Sequence, residues 1–142
     1  MTAYDPQNIF AKILNGEFAS TKVYENDHLL AIMDVFPQSK GHMLVIPKAP
    51  SRNILDADPE AVARVAAELP RLARAVKSAM QADGLRLAQF NEAPAGQTVF
   101  HLHFHLIPIY DGVELGRHAS GGPADAGELA AQARAIAAEL AA

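Results

Sequence analysis

The chain has no cysteine among its 142 residues. That excludes a disulfide framework and any zinc site built on thiolates. It also has no apolar run approaching the roughly 20 residues a membrane-spanning helix needs, so a membrane is not an expected partner. The opening "MTAYDPQNIF" lacks a basic segment followed by an apolar one. It does not read as a secretory signal, and the cytoplasm is the expected location. Basic blocks are missing too: the formal net charge is −4, and no Lys/Arg stripe lies beside aromatic residues. A nucleic acid polymer would need such a patch to neutralise its phosphates and is not an expected partner. A single nucleotide stays open, because one local pocket can hold it. Half the residues are hydrophobic and a fifth are charged, which is the composition of a globular domain. Residues 1–142 therefore read as one domain with its own core.

Helical and extended patterns alternate along the chain. "DPQNIFAKILNG" predicts a short helix capped by Asp5, with Pro6 in its first turn, Gly16 at its end, and Ile9, Phe10, Ile13 and Leu14 as its buried stripe. "TKVYE", "HLLAIMDV" and "HMLVIPK" predict three strands. A long helix follows, with Asp58 as N-cap and Pro59 in its first turn. Val62, Val65, Leu69, Leu72, Val76 and Met80 share one face at steps of three and four. Pro70 lies inside that helix and predicts a bend. Gly84 is expected to end it before a fourth strand, "LRLAQF". "NEAPAGQT" reads as a loop before "HLHFHLIP". "DGVELGRHASGGPADAG" reads as a mobile connection, and Leu129, Ala133, Ile136 and Leu140 mark a terminal helix. Strands joined by short turns imply an α+β domain, an antiparallel five-stranded sheet with helices packed on it.

The chemistry is concentrated in "HLHFHLIP", residues 101–108. On a strand, His101, His103 and His105 share one face and Leu102, Phe104 and Leu106 the other. Such a row could be an ordinary half-exposed strand, although three charged imidazoles side by side would repel. It could be a metal site, since neutral imidazole binds zinc. It could serve catalysis on phosphorus, with imidazole as nucleophile or acid near neutral pH.

The flanking residues narrow the choice. "AGQTVFHLHFHLIP" resembles the signature of the histidine triad (HIT) family of nucleotide hydrolases and transferases. "NIFAKILNGEFASTKVYENDHLLAIMDVFPQSKGHMLVIPK" resembles the amino-terminal half of its Hint-like branch of purine nucleoside phosphoramidases. The likeness runs from about residue 8 to 109 and implies a HIT-like fold. It leaves residues 110–142 as a flexible connection and a C-terminal helix.

The resemblance also implies roles. His103 matches the nucleophile that attacks the α-phosphorus and forms a nucleotidyl-histidine intermediate. His105 matches the residue that contacts phosphate and helps protonate the leaving group. Relatives with glutamine there act as transferases, so a retained histidine points to hydrolysis. His101 matches a supporting member, and the Thr98 hydroxyl a contact to phosphate or leaving atom. Gly96 and Gln97 match a backbone approach to phosphate, and Asn91 a contact near phosphate and ribose. Asp34 matches the acceptor of the ribose hydroxyls, Ile9, Phe10 and Ile32 the apolar surround of a purine, and His42 a histidine near the triad. Ile9, Phe10 and Ile32 could equally be plain core, and Asp34 a turn residue. His28 and His118 match nothing and read as surface residues.

Where several bacterial relatives carry a zinc site, this chain has Asn8, Ala11 and Pro50, so neither metal nor cofactor is expected. The branch implies a homodimer formed through the long helix and the strand beside it. A dinucleoside polyphosphate hydrolase carries a similar motif and is the alternative enzyme reading. A nucleotide-binding or interaction module is the alternative outside catalysis.

Overall fold

The computed structural model describes residues 2–116 and 122–142. Its elements are α1 (Ile9–Leu14), β1 (Lys22–Glu25), β2 (Leu29–Met33), β3 (Met43–Pro47), α2 (Pro59–Met80), β4 (Gly84–Ala88), β5 (Phe104–Ile109) and α3 (Ala126–Ala141). The strands form one sheet in the order β1-β2-β3-β5-β4, every neighbouring pair antiparallel. This is the α+β architecture expected of the sequence.

Both faces of the sheet are covered, and strand alternation sorts the side chains between them. Leu29, Ala31 and Met33 of β2, Met43 and Val45 of β3, and Leu106 of β5 pack with Val65, Leu69, Leu72 and Val76 of α2 and with Ile136 of α3. Leu30, Ile32, Leu44 and Ile46 point the other way, toward Phe10 of α1. Each such aliphatic side chain, fully buried, contributes about 1.5–3 kcal/mol. The face under α1 is short of cover, because α1 has only six residues. The histidines lie on that face.

Several expected boundaries move. Asn8, not Asp5, caps α1: its side chain accepts the N–H of Ala11, while Asp5 accepts the N–H of Gln7 in the preceding turn. Ile9 is 48% exposed and is not part of the buried stripe. Asp58 and Pro59 begin α2 as expected. That helix continues without a break through Pro70, which is exposed beside exposed Ala66. The Ala66 carbonyl that loses its i+4 partner thus has access to water, which relieves part of the cost of an interior proline. Gln81, in the left-handed region at φ 51°, caps α2, and Gly84 opens β4.

The last strand also starts late. His101 and His103 precede β5, which begins at Phe104. The chain leaves the ladder there because the Leu102 N–H bonds the Ser51 carbonyl at 2.9 Å. In the stretch expected to pack poorly, Gly116 donates to the Gln38 carbonyl and Ala124 to that of Val35, at 2.9 and 2.8 Å. Residues 117–121, including His118, lie outside the described residues; His28 is exposed.

Candidate active site

His103 is held by its own backbone. Its Nδ1 lies 2.6 Å from the His101 carbonyl. A carbonyl only accepts, so Nδ1 carries the proton and Nε2 the lone pair. The His101 ring is fixed by the same logic. Its Nε2 donates to the Pro47 carbonyl at 2.7 Å, and its Nδ1 accepts from the Tyr4 hydroxyl at 2.7 Å. Burial lowers the pKa of His101 and raises that of Tyr4, so a neutral ring faces a protonated phenol. The unfolded chain takes up a proton that native His101 resists. Its contribution to stability is therefore full above the ordinary imidazole pKa of 6.5 and is lost as pH falls below it.

His105 is held through His42. The main-chain N–H of Gln38 donates to His42 Nδ1 at 3.0 Å, which leaves the His42 proton on Nε2. That nitrogen lies 2.9 Å from His105 Nδ1 and 3.4 Å from Asp34 Oδ2. His105 Nδ1 accepts, so His105 keeps its own proton on Nε2. The two imidazoles therefore have opposite tautomers, His103 with a lone pair at Nε2 and His105 with a donor there.

The same contacts bear on metal binding. Asp34, His42 and His105 each offer a ligand atom, all within 4.8 Å of one another and all buried. By spacing they would suit a divalent ion. The Gln38 N–H opposes it, because a metal at His42 Nε2 needs the lone pair that this tautomer lacks. Binding would require an imidazolate or a broken main-chain hydrogen bond.

His103 and His105, with ring centroids 5.0 Å apart, line a cavity of about 330 Å³. Ile9, Phe10, Ile13, Ile32, Leu44, Val99 and the exposed Val35 and Phe36 make its walls, and Asp34 and Thr98 are on its edge. The Phe10 ring stands edge-on to His103 at 4.8 Å. A mostly apolar cavity with a few polar groups is the usual form of a small-molecule site. Asp34 also accepts the Phe36 N–H at 2.8 Å, which shapes the turn beside it.

Asn91, Gly96, Gln97, His42 and His101 do not line this cavity. Asn91 accepts the Ile54 N–H and exchanges hydrogen bonds with Gln89. Gly96 occupies φ +104°, where a side chain would be strained. The N–H groups of Gly96 and Gln97 bond the carbonyls of Ala93 and Glu92. Both donors are thus used within the turn.

Sequence reasoning missed Tyr4 and Gln38. Tyr4 is 97 positions from its histidine, and Gln38 acts through a main-chain N–H that any residue but proline supplies. No sequence signal marks either.

Two imidazoles of opposite tautomer thus face an apolar cavity of small-molecule size. The HIT domain model matches residues 15–112. Protein hit of Bacillus subtilis is 41% identical over 102 residues, 72% of this chain and 70% of that one. The adenylylsulfatase HINT3 of Arabidopsis thaliana is 39% identical over 100 residues, 70% of this chain and 51% of that one. A crystal structure of a Hit-like protein of Bartonella henselae, with an unknown ligand, superposes with a TM-score of 0.89 at 48% identity, covering 96% of this chain and 99% of the other. The chain belongs to the HIT family.

Proposed function

We propose that the protein is a nucleotide hydrolase acting on purine nucleotide phosphoramidates. The observation that carries this reading is the pair of fixed tautomers, a lone pair at His103 Nε2 beside a donor at His105 Nε2. His103 Nε2 bonds the α-phosphorus as the bond to the leaving nitrogen breaks. His105 donates toward that nitrogen. Water then attacks the nucleotidyl-histidine, the bond between phosphorus and His103 Nε2 breaks, and the proton released by the water returns to His105 Nε2. The purine occupies the apolar walls around Ile9, Phe10 and Ile32, Asp34 accepts the ribose hydroxyls, and Thr98 meets the phosphate. His101, His42, Asn91, Gly96 and Gln97 support these groups rather than touch the nucleotide.

Three substrates separate the readings: an adenosine phosphoramidate, a diadenosine polyphosphate and adenosine 5′-phosphosulfate. The last tests the activity named for the plant relative. The phosphoramidate is expected to turn over fastest, and chelator to leave the rate unchanged. A faster polyphosphate would replace this reading with the alternative hydrolase, and turnover of none would leave a binding module.

We also propose a homodimer. A groove of about 300 Å³ between α2 and β4, lined by Leu69, Pro70, Ala73 and Leu87, supports it. Leu87 is 53% exposed, more than a large apolar side chain beside such a groove would be in a buried interface. Light scattering at micromolar concentration is expected to give twice the chain mass of 15.2 kDa; the monomer mass would end the proposal.

A further inference from the structure

Away from the histidines, two loops are joined by a closed ring of hydrogen bonds. Arg52 Nε and Nη2 reach the two oxygens of Glu92 at 2.8 and 3.0 Å. The Glu92 N–H donates to Gln97 Oε1 at 2.7 Å, and Gln97 Nε2 donates to the Arg52 carbonyl at 2.7 Å. Asn53 Nδ2 bridges the middle, 2.5 Å from Glu92 Oε2 and 3.1 Å from Gln97 Oε1. Glu92 itself sits at φ +74°, a conformation L residues seldom adopt. The two-toothed guanidinium contact fixes direction as well as distance. It also holds the Glu92 carboxyl below its ordinary pKa.

The ring closes the turn of residues 92–97, which leads directly into Thr98. Gln97 Nε2 also reaches the Val99 carbonyl at 3.1 Å, so one amide grips the residues on both sides of Thr98. The Arg52 guanidinium lies 4.1 Å from the Phe100 ring centroid. Next to it, Ser51 takes the Leu102 N–H, ahead of the His103 ring that lines the cavity.

We infer that Arg52 and Glu92 are positioning residues that set the Thr98 hydroxyl against the reacting phosphate. The inference rests on the proposed hydrolase reading. Neither side chain needs to touch the nucleotide: the pair acts through Gln97 and the turn it grips. Its loss therefore loosens a geometry needed in the transition state more than a contact needed for binding.

The test is a double-mutant cycle of Arg52→Ala with Thr98→Ala, read as kcat and KM on a phosphoramidate and as the Kd for adenosine monophosphate. Arg52→Ala is expected to lower kcat about 10–100-fold while KM and Kd change less than about threefold. In the Thr98→Ala background the same substitution is expected to cost less than about threefold, because the group it positions is gone. Arg52→Lys, which keeps the charge but not the fork, is expected to fall between wild type and alanine. Multiplicative losses in the cycle, or a loss confined to KM, would overturn the inference. If Arg52→Ala fails to fold by circular dichroism, Arg52→Lys and Glu92→Gln carry the same cycle. An inactive wild type counts against the hydrolase reading; an active wild type with independent losses counts against the positioning ring alone.

Discussion

Replacing His103 with alanine is expected to reduce turnover of an adenosine phosphoramidate on the order of 10⁴-fold or more, with nucleotide affinity little changed. The size follows from what the ring supplies. His103 is the imidazole whose backbone contact leaves Nε2 with a lone pair at the cavity. His105 cannot substitute, because His42 keeps a proton on its Nε2. Water attacking the substrate directly would need a base that the alanine variant no longer has. The wild type, quenched during turnover and examined by mass spectrometry, is expected to carry a nucleotidyl group on the peptide containing His103. A variant retaining a tenth of the activity, or a label elsewhere, would rule out His103 as nucleophile.

The second large effect concerns the donor. His105→Ala and His42→Ala are both expected to cost about 10²–10⁴-fold on a substrate with an alkylamine leaving group, the usual range for losing a general acid. On a nitrophenyl ester, whose leaving group departs without a proton, each is expected to cost less than about tenfold. His42 does not line the cavity, yet its Nε2–H holds the His105 tautomer in place. The double variant should therefore be little worse than His105→Ala alone. A leaving-group series measured for all three proteins checks this. Equal losses on both kinds of substrate would show that the pair holds structure rather than a proton.

Much of this was legible in the sequence, and the limits have physical causes. The unbroken apolar run in "HMLVIPK" and the steps of three and four in α2 report burial directly, so that strand and the long helix lie where the pattern puts them. Ends are decided by single hydrogen bonds. Asp5 and Asn8 are both good caps, and only the chain path chooses Asn8. Gln81 took the left-handed cap because its N–H could bond Lys77 and Ser78 before Gly84 was reached. His101 and His103 lie outside β5 because the Ser51 carbonyl, fifty-one positions earlier, captures the Leu102 N–H. At the site, His103, His105, Asp34, Thr98 and the apolar wall line one cavity, and His101 and His42 do not line it. The parts that set protonation and position come from Tyr4, Gln38, Arg52 and Glu92. Their partners are chosen by folding, often through main-chain atoms that leave no trace in composition.

The tautomer assignments also bear on how a cycle finishes. Among the described residues lining the cavity there is no lysine or arginine, and Asp34 is the acid there. On the proposed function, a phosphate held there would meet no lysine or arginine. A phosphoramidate carries one negative charge at its α-phosphorus, whereas the monophosphate it yields carries nearly two near neutral pH. On that reading the product would be the more poorly accommodated of the two, and its second charge would favour release. The same lining would then help to clear the site for the next substrate.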